Sequence, residues 1–279
     1  MSSTFRILLS DKEEDITSFS SLASVKRQYR GEKVGHAGTL DRFASGLMIV
    51  LVGGATKLNP IFSSFGKRYT ARIRFGSETD TLDREGTVTA VSDKIPTREE
   101  LEMILPSFLG KQKQIPPVYS AIHVDGKRAY REARKQKEIE MPERDIFISS
   151  IELLSFEGSE AVIDVRVSKG TYIRSLARDI ALRSGSRGYL VALRRTEIGP
   201  FTLSDCSLTT DELLARTGLF SSINFSSRHL KEIENGSVKP QWIESDTNPA
   251  LDYCVMYIDG VRYGYAEKRG DRISVMARL

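Results

Sequence analysis

The stretch from Gly35 to Gly46, GHAGTLDRFASG, gathers three glycines, a histidine and a single carboxylate into twelve residues. In such a loop an Asp ordinarily closes a turn by accepting from nearby amides, and Gly supplies the positive φ. The same Asp is a nucleophile if it stays ionised in a pocket. Taken alone, Asp41 fits the turn and His36 fits a structural histidine. The three histidines show no metal-ligand spacing, and Cys206 and Cys254 are the only cysteines, so no zinc site and no disulfide framework are expected. Two further groups of chemical interest stand apart from the loop. Arg174 and Arg178 lie four residues apart on one face of an expected helix. The run Lys127 to Lys137, KRAYREARKQK, holds six basic residues and one acidic. A charge run is ordinarily a solvated face, but an anionic partner would account for this one together with Arg194, Arg195 and the basic C-terminal segment.

Elements able to position these groups can be read from periodicity. Residues 16–30 place Phe19, Leu22, Lys26 and Tyr29 at helical spacing, with Thr17 or Ser18 as N-cap. LMIVLVGG, directly after the loop, reads as a strand buried on both faces. Residues 68–75 and 161–168 alternate as half-exposed strands. Thr97 with Glu100, and Thr209 with Glu212, are capping boxes that open helices. Pro106 disturbs the end of the first. From Ile173 an apolar stripe of Leu176, Ala177, Ile180 and Ala181 predicts a helix that stops at Gly185. After about residue 225, Asp259-Gly260 and Arg269-Gly270-Asp271 read as hairpin turns of a small β unit. The expected fold is α+β with a largely antiparallel sheet and flanking helices. The expected division is 1–223 for the main domain and 224–279 for the small one.

The chain has 279 residues, 40% hydrophobic and 28% charged, with a net charge of +4, which permits a packed core and mildly favours anionic partners. No apolar run approaches the ~20 residues of a membrane span. The N-terminus lacks a basic start followed by an apolar leader. A cytoplasmic protein with no membrane association is expected.

The combination of segments is more specific than any one of them. GHAGTLDRFASGLMIVLVGGATK resembles the catalytic motif of the TruB family of pseudouridine synthases, G-H-x-G-x-L-D-P-x-A-[ST]-G. KRYTARIRFG, GSETDTLDREG, QIPPVYSAIHVDGKRAYREAR, SKGTYIRSLARDI and VALRRTEIGPF resemble further family segments in the same order, across about residues 5 to 205. The resemblance implies a synthase that flips the T-loop uridine of tRNA (position 55) and isomerises it with no cofactor or metal. It implies Asp41 as nucleophile, Arg174 as its cationic partner and Tyr69 as the ring stacked on uracil, its phenol a candidate to take the C5 proton. Attack at ribose C1′ and at uracil C6 both remain open. Leu193 would wall the pocket and Tyr172 support it. His36 would occupy the space left by the flipped nucleotide. Lys127, Arg128 and their basic neighbours would grip the T-loop backbone, with Lys57 and Lys169 as lesser contacts. Asp83 would pair with Arg174 or act near the site. A monomer is expected.

Three departures from the family pattern stand out. Arg42 replaces the Pro after the catalytic Asp, and its charge would favour ionisation of Asp41 if it pointed inward. In the N-terminal segment, which keeps Lys12, Thr17 and Ser18, Glu13 replaces Pro and Asp15 replaces Gly. The C-terminal unit is shorter than the usual PUA domain and only weakly like it.

Overall fold

Alternating and continuous apolar runs settle into one large sheet and one small one. The computed structural model describes residues 4–120, 123–124, 127–128, 141–235, 238–270 and 272–278. Its first strands are β1 (Phe5–Lys12), β2 (Val34–Ala37), β3 (Ser45–Gly53) and β4 (Lys67–Phe75). A side hairpin of β5 (Ser77–Thr79) and β6 (Val88–Val91) follows. Then come β7 (Gly110–Gln114) and the two short strands β8 (His123–Val124) and β9 (Lys127–Arg128). The large sheet is completed by β10 (Arg144–Glu157), β11 (Glu160–Val167), β12 (Gly188–Ile198) and β13 (Phe201–Thr202). Its order is β1-β3-β12-β4-β11-β10-β7, with β2 on β3 and β13 on β12.

All its pairings are antiparallel except β3 with β12, which run parallel through Arg194–Ser45 and Arg195–Gly46. At that crossing Gly46 sits at φ +108, and a Cβ there would stand 2.2 Å from the Arg195 carbonyl oxygen. Only glycine fits, and it lets the loop of Asp41 enter β3 directly against β12. As expected, β3 is buried on both faces, and β4 buries Tyr69, Ala71, Ile73 and Phe75 on one.

The helix Ile173–Arg183 packs its apolar stripe on the sheet, and Gly185, at φ +76, follows its end. Both capping boxes form. The first helix ends at Ile104 and tightens to a 3-10 turn over Leu105–Phe108, where Pro106 cannot donate. The segment 16–30 is less helical than its spacing predicts. A 3-10 turn, Ser20–Leu22, leads into a short α-helix, Ala23–Gln28. Serines and Val25 give weak helix propensity, and Phe19 stays 71% exposed beneath the Lys26 ammonium.

The second sheet contains β14 (Phe220–Phe225), β15 (Ile243–Asp246), β16 (Tyr253–Ile258), β17 (Val261–Arg269) and β18 (Arg272–Arg278), in the order β15-β14-β16-β17-β18. A division after residue 223 would cut through β14; the left-handed Gly218 turn just before it is the natural limit of this sheet. The small unit shares a core with the large one. Tyr265 is 1% exposed, stacks on Phe5 with ring centroids 4.0 Å apart, and packs among Ile7, Leu213 and Leu214. Tyr265→Ala therefore leaves a cavity at this seam, and should lower stability by about 3 kcal/mol in denaturant titration. Both sheets should melt in one transition.

Candidate active site

Buried backbone contacts brace the loop Gly38–Ala44. Ser18 Oγ donates to the Leu40 carbonyl and accepts from the Leu40 amide, each at 2.9 Å. Lys12, fully buried, donates Nζ to the carbonyls of Glu13, Ile16 and Arg42 at 2.8, 2.7 and 3.2 Å. Burial lowers its pKa. Asp41 is thereby presented on a braced loop with its side chain 39% exposed.

Arg174 comes from the first turn of the helix Ile173–Arg183 and is 5% exposed. Its Nη1 donates to the Thr81 carbonyl at 2.8 Å, and its Nη2 to the Tyr119 carbonyl at 3.1 Å. Nη2 also reaches Asp41 Oδ1 at 3.2 Å. Its Nε lies 2.9 Å from Asp41 Oδ2, close enough for an ion pair but outside hydrogen-bond geometry. Behind it, Asp83 Oδ2 stands 3.4 Å from Nη1, with its side chain 6% exposed. Burial pushes the Asp83 carboxyl above the usual range, against the Thr81 hydroxyl, the Arg174 charge and the Glu85 amide. A single buried guanidinium thus lies between an enclosed carboxyl and one that opens onto a pocket.

That pocket has a volume of about 300 Å³. Asp41, Arg174, Tyr69, Tyr172 and Leu193 all line it. Tyr69 and Leu193 rise from the adjacent strands β4 and β12. Tyr172 is fixed through its backbone by Gln114, whose Oε1 accepts from the Tyr172 amide at 2.9 Å and whose Nε2 donates to its carbonyl at 3.1 Å. The arrangement joins an anionic oxygen, a fixed cation and a narrow apolar and aromatic slot. It suits a planar, uncharged ring attacked by a carboxylate.

The comparisons with known proteins bear on this geometry. The family signature described as TruB family pseudouridylate synthase (N terminal domain) matches residues 26–173. The chain is 40% identical over 239 residues to tRNA pseudouridine synthase B of Borreliella burgdorferi (strain ZS7), covering 82% of this chain and 84% of that protein. The chain belongs to the TruB family. The enzyme of the same name from Bordetella avium is 46% identical over 214 residues, covering 76% of this chain and 87% of that one. A solved Cbf5–Nop10–Gar1 complex contains a chain with the same fold, at a TM-score of 0.66 and 20% identity, covering 99% of this chain and 84% of that one.

Other residues expected from the TruB resemblance lie off the pocket lining. His36 is on β2, half-buried, with Nδ1 buried and without a hydrogen-bond partner. Burial and the Arg195 charge lower its pKa, which favours neutral imidazole. Lys57 is exposed in a 3-10 turn, Gly54–Leu58. Lys127 and Arg128 form β9, paired with β8; their side chains and residues 129–140 lie outside the described residues. Sequence reasoning passed over Gln114, Tyr119, Ser120 and Thr171, although all four stand inside the quoted TruB segments. Tyr119, Ser120 and Thr171 line the pocket.

The departures from the TruB pattern also find places. Asp15 adopts φ +61, the left-handed conformation that the family glycine would take without strain. Its Oδ1 pairs with Arg84 at 2.7 Å, and Arg84 also pairs with Glu14 at 3.3 Å. Arg42 points away from Asp41: its Nε donates to the Asp15 carbonyl at 3.0 Å and lies 3.8 Å from Glu85. Glu14 and Asp15 thus pair with Arg84, and Arg42 braces the loop where the family has Pro.

Arg174→Ala should both cripple turnover and lower stability by about 3 kcal/mol, because Asp83 is left buried without its cation. Arg174→Lys should recover most of that stability. It should still turn over at least ~100-fold slower, since an ammonium cannot reproduce the fork that meets Asp41, Thr81 and Tyr119 together. Thermal melts and single-turnover rates on the two variants separate these effects.

Proposed function

We propose that this chain isomerises the T-loop uridine of tRNA, at position 55, to pseudouridine, with Asp41 as nucleophile. One observation carries the proposal: a carboxylate held against a buried guanidinium at the floor of a pocket fit for a single base, in a chain of the TruB family. The similarity to enzymes named tRNA pseudouridine synthase B supports tRNA as the substrate.

The chemistry asks little beyond these residues. The N1–C1′ bond breaks, the uracil turns, and C5 bonds to C1′; a proton leaves C5 and N1 ends protonated. The product is an isomer, so no electrons are gained or lost. Asp41 attacks either C1′ or C6, and the Arg174 guanidinium beside it holds the carboxylate in place at the pocket. Tyr69 and Leu193, which line the pocket, hold the loose ring, and the Tyr69 phenol is the candidate to take the C5 proton. A uridine inside a folded T loop must first leave its stack, at a cost of a few kcal/mol. Phosphate contacts from the basic run 127–137 offset that cost and position the RNA without reading its bases. His36 fits the space left behind. Such an enzyme works where tRNA is made, in the cytoplasm, and needs no partner chain. Among the described residues no helix is long and apolar enough to cross a membrane.

Position mapping tests the proposal. An unmodified tRNA transcript treated with the protein, then with a carbodiimide that blocks reverse transcription at pseudouridine, should give one new stop at the T-loop uridine. Stops at other uridines, or none, would overturn it. Replacing Lys127, Arg128 and Arg131 together by Ala should weaken tRNA binding and flatten its dependence on the logarithm of salt by about three. An unchanged slope would make that run a solvated face.

A further inference from the structure

Tyr69 on β4 pairs directly with Arg195 on β12, and Leu193 is two residues before Arg195. Side chains two apart on a strand share a face. The face that lines the pocket through Tyr69 and Leu193 therefore continues beyond it through Lys67 and Arg195.

Those two cations are unusual. Arg195 is 1% exposed, and no carboxylate of the described residues pairs with it. Its Nε donates to the Leu47 carbonyl at 2.7 Å and its Nη2 to the Gly38 carbonyl at 3.1 Å. These carbonyls flank the loop of Asp41, so Arg195 ties its two ends together. Nη1 has no hydrogen-bond partner among the described residues. It lies 3.5 Å from the point where a Cβ on Gly38 would stand, and Lys67 Cε lies 3.9 Å from the same point. Gly38, at φ +93, leaves open a space that a side chain would fill. Lys67 donates to the carbonyls of Ser63 and Phe65, at 2.9 and 2.5 Å, and likewise has no carboxylate partner among the described residues. Burial, Arg195 and Lys169 push its pKa down to about 8. Two partly desolvated cations with no counter-charge are costly to hold together, and an anion placed between them relieves that cost.

We propose that Arg195 Nη1, Lys67 and the open face of Gly38 form a notch for one backbone phosphate of the bound RNA, next to the flipped nucleotide. This rests on the reading that the pocket takes a uridine flipped out of RNA. Gly38 directly precedes Thr39 of the pocket wall, so the phosphate sits where the backbone must pass once the base has entered. The notch fixes the ribose relative to Asp41. It uses none of the residues of the basic run 127–137.

The test pairs Lys67 with single phosphates. T-loop hairpins are made with one methylphosphonate, a neutral phosphate analogue, at each linkage around the target uridine in turn. One linkage should weaken binding to the parent about tenfold, the size of one lost charge-assisted hydrogen bond. In Lys67→Met, binding to the unmodified hairpin should already be weaker by that factor, and the same linkage should cost nothing more. Lys67→Arg should restore sensitivity at that linkage, which a mere loss of the Ser63 and Phe65 contacts would not predict. If every methylphosphonate weakens parent and Lys67→Met equally, the notch holds no phosphate. Failure of the underlying reading would look different: the parent would bind the unmodified hairpin without forming pseudouridine in it.

Discussion

A guanidinium taken out of water must be met by counter-charge and by hydrogen-bond acceptors, and Arg174 sets that requirement for the whole site. Four groups answer it, from three separate stretches of chain. They are Asp41 from the glycine loop, Asp83 and the Thr81 carbonyl from the turn after β5, and the Tyr119 carbonyl from the segment after β7. Each stretch must therefore converge on the first turn of one helix. The sheet makes this geometrically accessible. The single parallel contact of β3 with β12 brings the Asp41 loop beside Tyr69 and Leu193, and the Leu190 amide bonds the Leu82 carbonyl to anchor the turn that carries Asp83.

The two carboxylates beside Arg174 are not equivalent, and burial explains why. Asp83 is enclosed, and its acidity is suppressed by desolvation; Asp41 opens onto the pocket. The enclosed group orients the guanidinium, and the open group is the one a substrate can reach. The same division recurs on the loop's far side. Lys12 and Ser18 bind only backbone there, while Arg42, Arg84, Glu14 and Asp15 form exposed links that bring the N-terminal segment to the loop. Exposed pairs contribute little individually. The bracing of Asp41 therefore rests chiefly on the buried Lys12 and Ser18 contacts.

Much of this was legible in the residues. The continuous apolar run of β3, the alternation of β4 and β11, both capping boxes and the stripe from Ile173 fixed their elements, because local period and tertiary burial agree there. The pocket members Asp41, Tyr69, Tyr172, Arg174 and Leu193 followed from the family motif. What escaped was long-range. Nothing local marks Gln114 as the clamp on Tyr172, 58 residues away, or Arg195 as the tie across the loop of Asp41. Nor does charge alone say which way a side chain turns. Arg42 is adjacent to Asp41 in sequence yet binds the Asp15 backbone, because that carbonyl is exposed by the left-handed turn. The segment 16–30 has helical spacing but forms less helix than that spacing predicts, because its serines have weak helix propensity.

The central claim is that the carboxylate of Asp41, ion-paired with Arg174, is the group that attacks the uridine. Release of tritium from C5-labelled uridine in an unmodified tRNA transcript tests it most directly, on the parent and on Asp41→Asn, with tRNA binding measured in parallel. The account predicts stoichiometric release by the parent, none by Asp41→Asn, and nearly equal tRNA affinity for both. Release by Asp41→Asn at the parental rate would contradict it.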